Sequence, residues 1–176
     1  GLVEVEAKWS INGDVISFLL GEYDTNETLI IDPVVRQWGT YYSGGISGGQ
    51  VIGSSAASVA IDQIGNIYFS GVTDAQSGIA TTGAHQVIRG QFDEIFLAKF
   101  DSSGVRQWGT YYGGSGQDHG RGCATDASGN VYLAGYTYGS TTGIATTGAH
   151  QTSYGGGLRD GFLVKFNSSG VRQWGT

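Results

Sequence analysis

Methionine is missing from this chain, proline occurs once, at Pro33, and cysteine once, at Cys123. A lone cysteine rules out an intrachain disulfide and leaves the redox compartment open. One proline and no strict Gly-X-Y period exclude collagen, although 32 glycines among 176 residues far exceed the usual share of about 7%. Charge is also scarce: charged residues make up 14%, and 15 acidic against 9 basic side chains give a formal net charge of −6. An acidic surface repels phosphate, so nucleic acid is not expected as a partner. No apolar run approaches the roughly 20 residues of a membrane-spanning helix, and no membrane insertion is expected. With no methionine, Gly1 first and no signal peptide, the chain is expected to be a processed or excised piece.

What is present favours a packed fold. A hydrophobic share of 39% and an aromatic share of 12% suffice for a core. Dense glycine between short Val/Ile/Phe/Tyr runs suits tight turns and close sheet-to-sheet approach. Little lysine and much Gly, Ser, Thr and Tyr point to an extracellular home.

The chain repeats itself. Val-Arg-Gln-Trp-Gly-Thr occurs at Val35–Thr40, Val105–Thr110 and Val171–Thr176. Trp38 to Trp108 is 70 residues and Trp108 to Trp174 is 66. Between them the same landmarks return in order: Asp62–Asn66 and Asp126–Asn130, Gly78–Gln86 and its letter-for-letter copy Gly143–Gln151, Ile95–Phe100 and Gly161–Phe166, Asp101–Gly104 and Asn167–Gly170. The length difference sits in Gly/Ser-rich stretches, chiefly Ser43–Ala56, as expected where strands are fixed and connections free. In this alignment Gly49–Ser54 of the first copy stands where the second has Gly116–Arg121.

The local period is two. Val131, Leu133 and Gly135 share one face and Tyr132, Ala134 and Tyr136 the other; Phe162, Val164 and Phe166 oppose Leu163 and Lys165. Strands are expected near Arg121–Thr125, Val131–Tyr136, Phe162–Phe166 and Val171–Thr176, and no segment sustains a helical period. Apolar or small residues on both faces suit a sheet held between similar sheets. The fold class is therefore all-β, with four-stranded antiparallel blades of the β-propeller type, about two copies in an incomplete ring, and a short N-terminal β-meander. A β-sandwich and, less well, a parallel β-helix are the competing architectures. The expected domains are 1–34, an N-terminal β-hairpin or meander, 35–112, a first repeat with a flanking outer strand at Val35–Tyr42, and 113–176, a second repeat. Two copies cannot close a ring, so further repeats of the same chain or neighbouring copies are expected partners.

The runs Trp108–Gly116, Asp126–Thr137 and Gly161–Gly170, with their earlier counterparts Trp38–Gly45, Ile61–Thr73 and Glu94–Gly104, resemble the bacterial SBBP family of β-propeller repeats. Val15–Pro33 resembles the end of the β-rich domain that often precedes these repeats, so the resemblance implies that 1–34 is its remnant. It also implies a secreted or cell-surface bacterial protein and supplies no catalytic motif. The expected role is non-catalytic, structural or adhesive, with loops offered to surface glycan or protein; the alternative is part of a propeller enzyme acting on carbohydrate through carboxylates of several blades.

Candidate residues divide by place in the repeat. Trp38, Trp108 and Trp174 recur in the outer strand and are assigned to blade packing. Asp62 and Asp126 precede Gly-bearing turns and are assigned to Asx-turns. His85 and His150 occupy identical loops; one histidine per repeat cannot complete a metal site, so each is given a loop-pinning role and no metal or other cofactor is expected. His119, without a counterpart, is placed on the surface. Cys123 reads as an inert thiol. No G-x-S-x-G, H-E-x-x-H or phosphate loop occurs, and no enzyme is expected. The long connections Thr73–Phe92 and Thr137–Asp160 are the best recognition candidates. Their duplicated segments are given to packing and their variable parts to binding, with Asp74, Gln76, Tyr138, Thr141 and Tyr154 as the binding set.

Overall fold

The computed structural model describes residues 5–13, 15–28, 37–45, 53–139 and 142–176. Contacts divide the chain into two units, Gly1–Arg36 and Gln37–Thr176. In the first, β1 (Ala7–Asn12) and β2 (Val15–Leu20) form an antiparallel hairpin. Asn12 pairs with Val15, so the chain reverses at Gly13, whose φ of 62° a side chain would disfavour.

The second unit holds two four-stranded antiparallel sheets. One runs β3 (Ser54–Ile61), β4 (Ile67–Thr73), β5 (Glu94–Phe100), β6 (Arg106–Tyr112) in sequential order. The other runs β7 (Gln117–Thr125), β8 (Val131–Tyr138), β9 (Asp160–Phe166), β10 (Arg172–Gly175), again in sequence. Each is a propeller-type blade, with the Trp-bearing strand at its edge.

The two-residue period becomes two packed faces. Tyr68, Ile95, Leu97 and Tyr112 of the first blade meet Val131, Leu133, Phe162, Val164 and Phe166 of the second. Full burial of such a side chain contributes about 1.5–3 kcal/mol, which makes this seam the main source of stability. The opposite face of the first blade packs Phe69, Phe96 and Tyr111 with Tyr42, Ala75 and Ile79. Covered on both sides, β5 is buried at every position but Lys99; in β9, Gly161 and Leu163 are exposed, because nothing described covers that face of the second blade.

The short turns are built by their first residue. Asp126 Oδ1 accepts from Ser128 N (2.9 Å) and Asn130 N (3.0 Å), and Oδ2 from Asn130 Nδ2 (2.7 Å) and the Tyr132 hydroxyl (3.1 Å). Asp62 receives the corresponding bonds from Ile64, Asn66 and Tyr68. In the β5–β6 and β9–β10 turns, Asp101 and Asn167 accept from the backbone two and four residues on. An amide does what a carboxylate does here, so the task is acceptance and not charge.

Two expectations need correction. Ladder registers place Ser54 opposite Thr73 and Asp118 opposite Thr137, so Ser54 and Ala57, not Val51 and Ser54, correspond to Asp118 and Arg121. Letter similarity around the Gly-Gln pairs misled the alignment; a bulge shared by both copies, at Ala57 and Arg121, sets the true register. The outer strand expected at Val35–Tyr42 lies partly outside the described residues, and Gln37–Tyr42 joins no ladder. Its side chains still pack as an outer strand's do. Trp38 Nε1 donates to Ser102 O at 3.0 Å, as Trp108 Nε1 donates to Ser168 O at 3.1 Å. The Tyr42 hydroxyl donates to Ile79 O at 3.0 Å, as Tyr112 donates to Ile144 O at 2.8 Å.

Candidate functional site

The long connections leave the sheets after β4 and β8. Each contains a duplicated segment that lies along the free edge of its own blade. Thr81 N donates to Gly109 O (2.9 Å), Gly109 N to Thr81 Oγ1 (3.3 Å) and Tyr111 N to Gln86 O (3.1 Å). In the second copy Thr146 N donates to Gly175 O (2.9 Å), Gly175 N to Thr146 Oγ1 (3.2 Å) and Gln151 N to Thr176 Oγ1 (3.1 Å). Open strand edges invite unwanted pairing, and this segment blocks them. Arginine fastens its start: Arg106 Nη1 donates to Gly78 O at 2.7 Å and Arg172 Nη1 to Gly143 O at 2.8 Å. Ile79 is buried on the face of the first blade that Tyr42 covers, and Ile144 at the seam between the blades. Exact duplication therefore reflects an exact repeat of one packing task.

His85 sets its ring near Tyr112 (6.0 Å) and Phe166 (5.7 Å), across the seam. Desolvation, helped by the Arg172 charge, holds its pKa below the ordinary value. His150, at the repeated position, is exposed. Trp108 lies edge-on to Tyr68 and Trp174 edge-on to Tyr132, but Trp174 is 36% exposed.

Carboxylates are engaged structurally. Hydrogen bonds, first that of the Asn130 side chain, hold Asp126 down at about 2. Burial pushes Asp62 up, but bonds from Asn66 and Ile64 outweigh it and leave the group below its ordinary value. The most enclosed acids lie outside the expected site set. Glu94 and Asp118, both essentially unexposed, flank Gly113 where the two blades join. Glu94 accepts from Gln86 Nε2 (2.7 Å) and Gly90 N (2.8 Å), and Asp118 from Gly114 N (2.7 Å). The signal was a glutamate opening an otherwise apolar strand.

Burial raises the Glu94 pKa above its ordinary 4.5, and the neighbouring Asp118 charge adds to the rise against the Gly90 and Gln86 bonds. A carboxyl raised on folding adds stability below its unfolded pKa and loses it as pH climbs through the folded value. Glu94→Gln is therefore expected to gain on the native chain from about pH 4 to about pH 8, read as urea midpoints. Parallel profiles for the two proteins would refute this assignment.

A cavity of about 370 Å³ opens beside the second blade, lined by Thr137, Ile144, Gln151, Tyr154, Asp160 and Leu163 among others. Thr137 Oγ1 is enclosed and has no hydrogen-bond partner among the described residues. Asp160 takes the place of Glu94 and accepts from Gly155 N and from Gln151 Nε2 at 3.3 Å. The first copy closes the corresponding space with Gly113 and Gly114.

The expected binding set is dispersed. Asp74 Oδ1 accepts from Gly53 N at 3.0 Å, and Gln76 N donates to Gly45 O at 2.9 Å, both in the first blade. Tyr154 lines the cavity and donates its hydroxyl to Gly157 O at 2.9 Å. Tyr138 lies edge-on to Tyr136 (5.4 Å) and His119 (5.9 Å). Thr141 lies outside the described residues. His119, expected on the surface, is half-buried and stacks on Tyr136 at 5.2 Å. Among the described residues no three His, Cys, Asp or Glu side chains gather as a metal site.

No curated protein matches the chain. Residues 107–140, from β6 through β7 and β8, match the SBBP family model, described as a β-propeller repeat. Sequential four-stranded antiparallel sheets and a recurrent Trp-bearing edge strand agree with that match, and residues 107–140 are thereby a β-propeller repeat of the SBBP type.

Proposed function

We propose that this repeat module is a non-catalytic scaffold of a secreted or cell-surface protein, which stacks with further blades and offers its long connections to protein or glycan. One observation carries the reading. Tyr132, Leu163, Lys165 and Trp174 on the uncovered face of the second blade repeat Tyr68, Leu97, Lys99 and Trp108, which the first blade uses against its neighbour. The second blade thus presents a ready copy of an interface already in use, and the further repeats or neighbouring copies expected as partners fit it. Apart from Asp160 in the cavity of the second blade, the acids described at the repeat build turns or lie enclosed, which favours a scaffold over a carbohydrate-cleaving enzyme.

The test joins one more repeat after Thr176, in the phase of Val105–Thr176, and compares it with the same chain carrying Trp174→Ala and Leu163→Ala. Cooperative unfolding that includes the added repeat, weakened by the substitutions, is expected. Independent unfolding of the added repeat would overturn the stacking. Carbohydrate turnover abolished by Asp160→Asn would overturn the non-catalytic reading.

A further inference from the structure

The uncovered face of the second blade has two halves. Its lower half repeats the first blade, as just described; its upper corner departs from it at every position. By ladder register, Ser55, Ala57, Val72, Asp74, Ile95 and Asp93 of the first blade are replaced by His119, Arg121, Tyr136, Tyr138, Gly161 and Arg159. In the first blade Ile95 fills this corner against Gly120. In the second, Gly161 leaves that space to aromatic rings. Packing cannot explain the change, because the packing positions beneath it are the ones kept.

The replacements touch one another. Arg121 Nη2 donates to the Tyr136 hydroxyl at 2.7 Å, and the Arg121 and Arg159 guanidinium carbons lie 5.1 and 4.8 Å from the Tyr136 ring centre. His119 stacks on the same ring and Tyr138 meets both edge-on. Among the described residues neither arginine has a carboxylate within ion-pair distance, although acids outnumber bases 15 to 9 in the chain. Two exposed guanidiniums without a carboxylate partner, of which Arg121 spends one donor on the Tyr136 hydroxyl, are suited to a carboxylate or sulfate. Rings beside them supply the flat apolar surface that a sugar's C–H face requires.

We infer that the corner formed by His119, Arg121, Tyr136, Tyr138 and Arg159 binds an acidic saccharide, its carboxylate or sulfate held by the two arginines. The corner stays open when a further blade is seated. In the first blade, whose face is covered, the equivalent Ser55 and Ala57 remain exposed and Val72, Asp74 and Asp93 only half-buried. The inference stands apart from the scaffold reading and survives its failure.

The test titrates the whole chain with polygalacturonate oligomers and with sulfated dextran, with neutral dextran and polyglutamate as comparisons. Binding to one or both acidic polysaccharides is expected, weakening with salt and falling at least tenfold in Arg121→Ala and Arg159→Ala. Both arginines are exposed at the surface, and unchanged urea midpoints would verify that the variants fold. Tyr136→Ala should weaken saccharide binding further than Tyr136→Phe. The two polyanions distinguish carboxylate from sulfate as the group held. Binding to polyglutamate alone would replace the saccharide by an acidic peptide and overturn the inference. So would equal binding to neutral dextran, or arginine variants that bind unchanged.

Discussion

Tyr112→Ala is expected to lower the free energy of unfolding by about 3–5 kcal/mol, enough to unfold many domains of this size. Tyr112 closes β6 at the seam between the blades, fully buried, with ring contacts to Phe162 (5.5 Å), Phe166 (5.7 Å) and His85 (6.0 Å). Truncation leaves a cavity that two rings of β9 and one of the β4–β5 connection cannot jointly fill. The hydroxyl is a separate matter: it donates to Ile144 O at 2.8 Å and so holds the long connection of the second blade to the first. Tyr112→Phe, which keeps the ring, is expected to cost only about 1–2 kcal/mol, the loss of one buried hydrogen bond. Urea unfolding of the three proteins gives the comparison. Equal effects of the two substitutions would mean that the ring packing contributes little.

Gly71→Ala and Gly135→Ala are expected to be as damaging, through the opposite mechanism. A Cβ at Gly71 would fall 1.9 Å from Ser55 O and 2.7 Å from the Phe96 ring. At Gly135 it would fall 2.1 Å from His119 O and 2.7 Å from the Phe162 ring. In both copies the bulge of the neighbouring strand carries its backbone over the glycine, and a phenyl ring covers what space remains. Overpacking costs about 1–3 kcal/mol where side chains can yield, and more where backbone must move, so about 3 kcal/mol or failure to fold is expected. Gly122→Ala is the control, since a Cβ there meets nothing within 4 Å, and it should stay within about 0.5 kcal/mol of the native chain or stabilise it slightly. If Gly71→Ala and Gly122→Ala melted alike, the close approach would be refuted.

Much of this architecture is legible in letters because a repeat states its packing twice. The strands around Val131–Tyr136 and Phe162–Phe166, their facing, and the turns begun by Asp62 and Asp126 follow from a two-residue period and from side chains that accept backbone bonds. The segment Gly78–Gln86 was readable as packing for the same reason: nine letters preserved twice imply one unvarying set of contacts. Arg106 and Arg172 were harder to place, because alternation shows only that one of the Arg-Gln pair points outward and not that a guanidinium reaches back to Gly78 O or Gly143 O.

The site was much less legible. Asp74 and Gln76 belong to the first blade, Tyr154 to the cavity of the second and Tyr138 to the aromatic corner. Variability in a loop says where substitution is tolerated and not which side chains converge. Glu94 and Asp118 lie 24 residues apart and meet only because consecutive blades bring the end of one sheet to the start of the next. Arg121 and Arg159 are farther apart still, and they meet on Tyr136 because the β7 bulge places one and the start of β9 the other.

The chain's own letters determined the sheets: their number of strands, their sequential order and the residues that turn them, since these depend on neighbours within a few positions and on a period any strand must obey. Stacking decided the rest. Which face is covered, which acids are sealed and which arginines share one ring depend on how far one twisted sheet is rotated against the next, a distance between residues that no local period encodes.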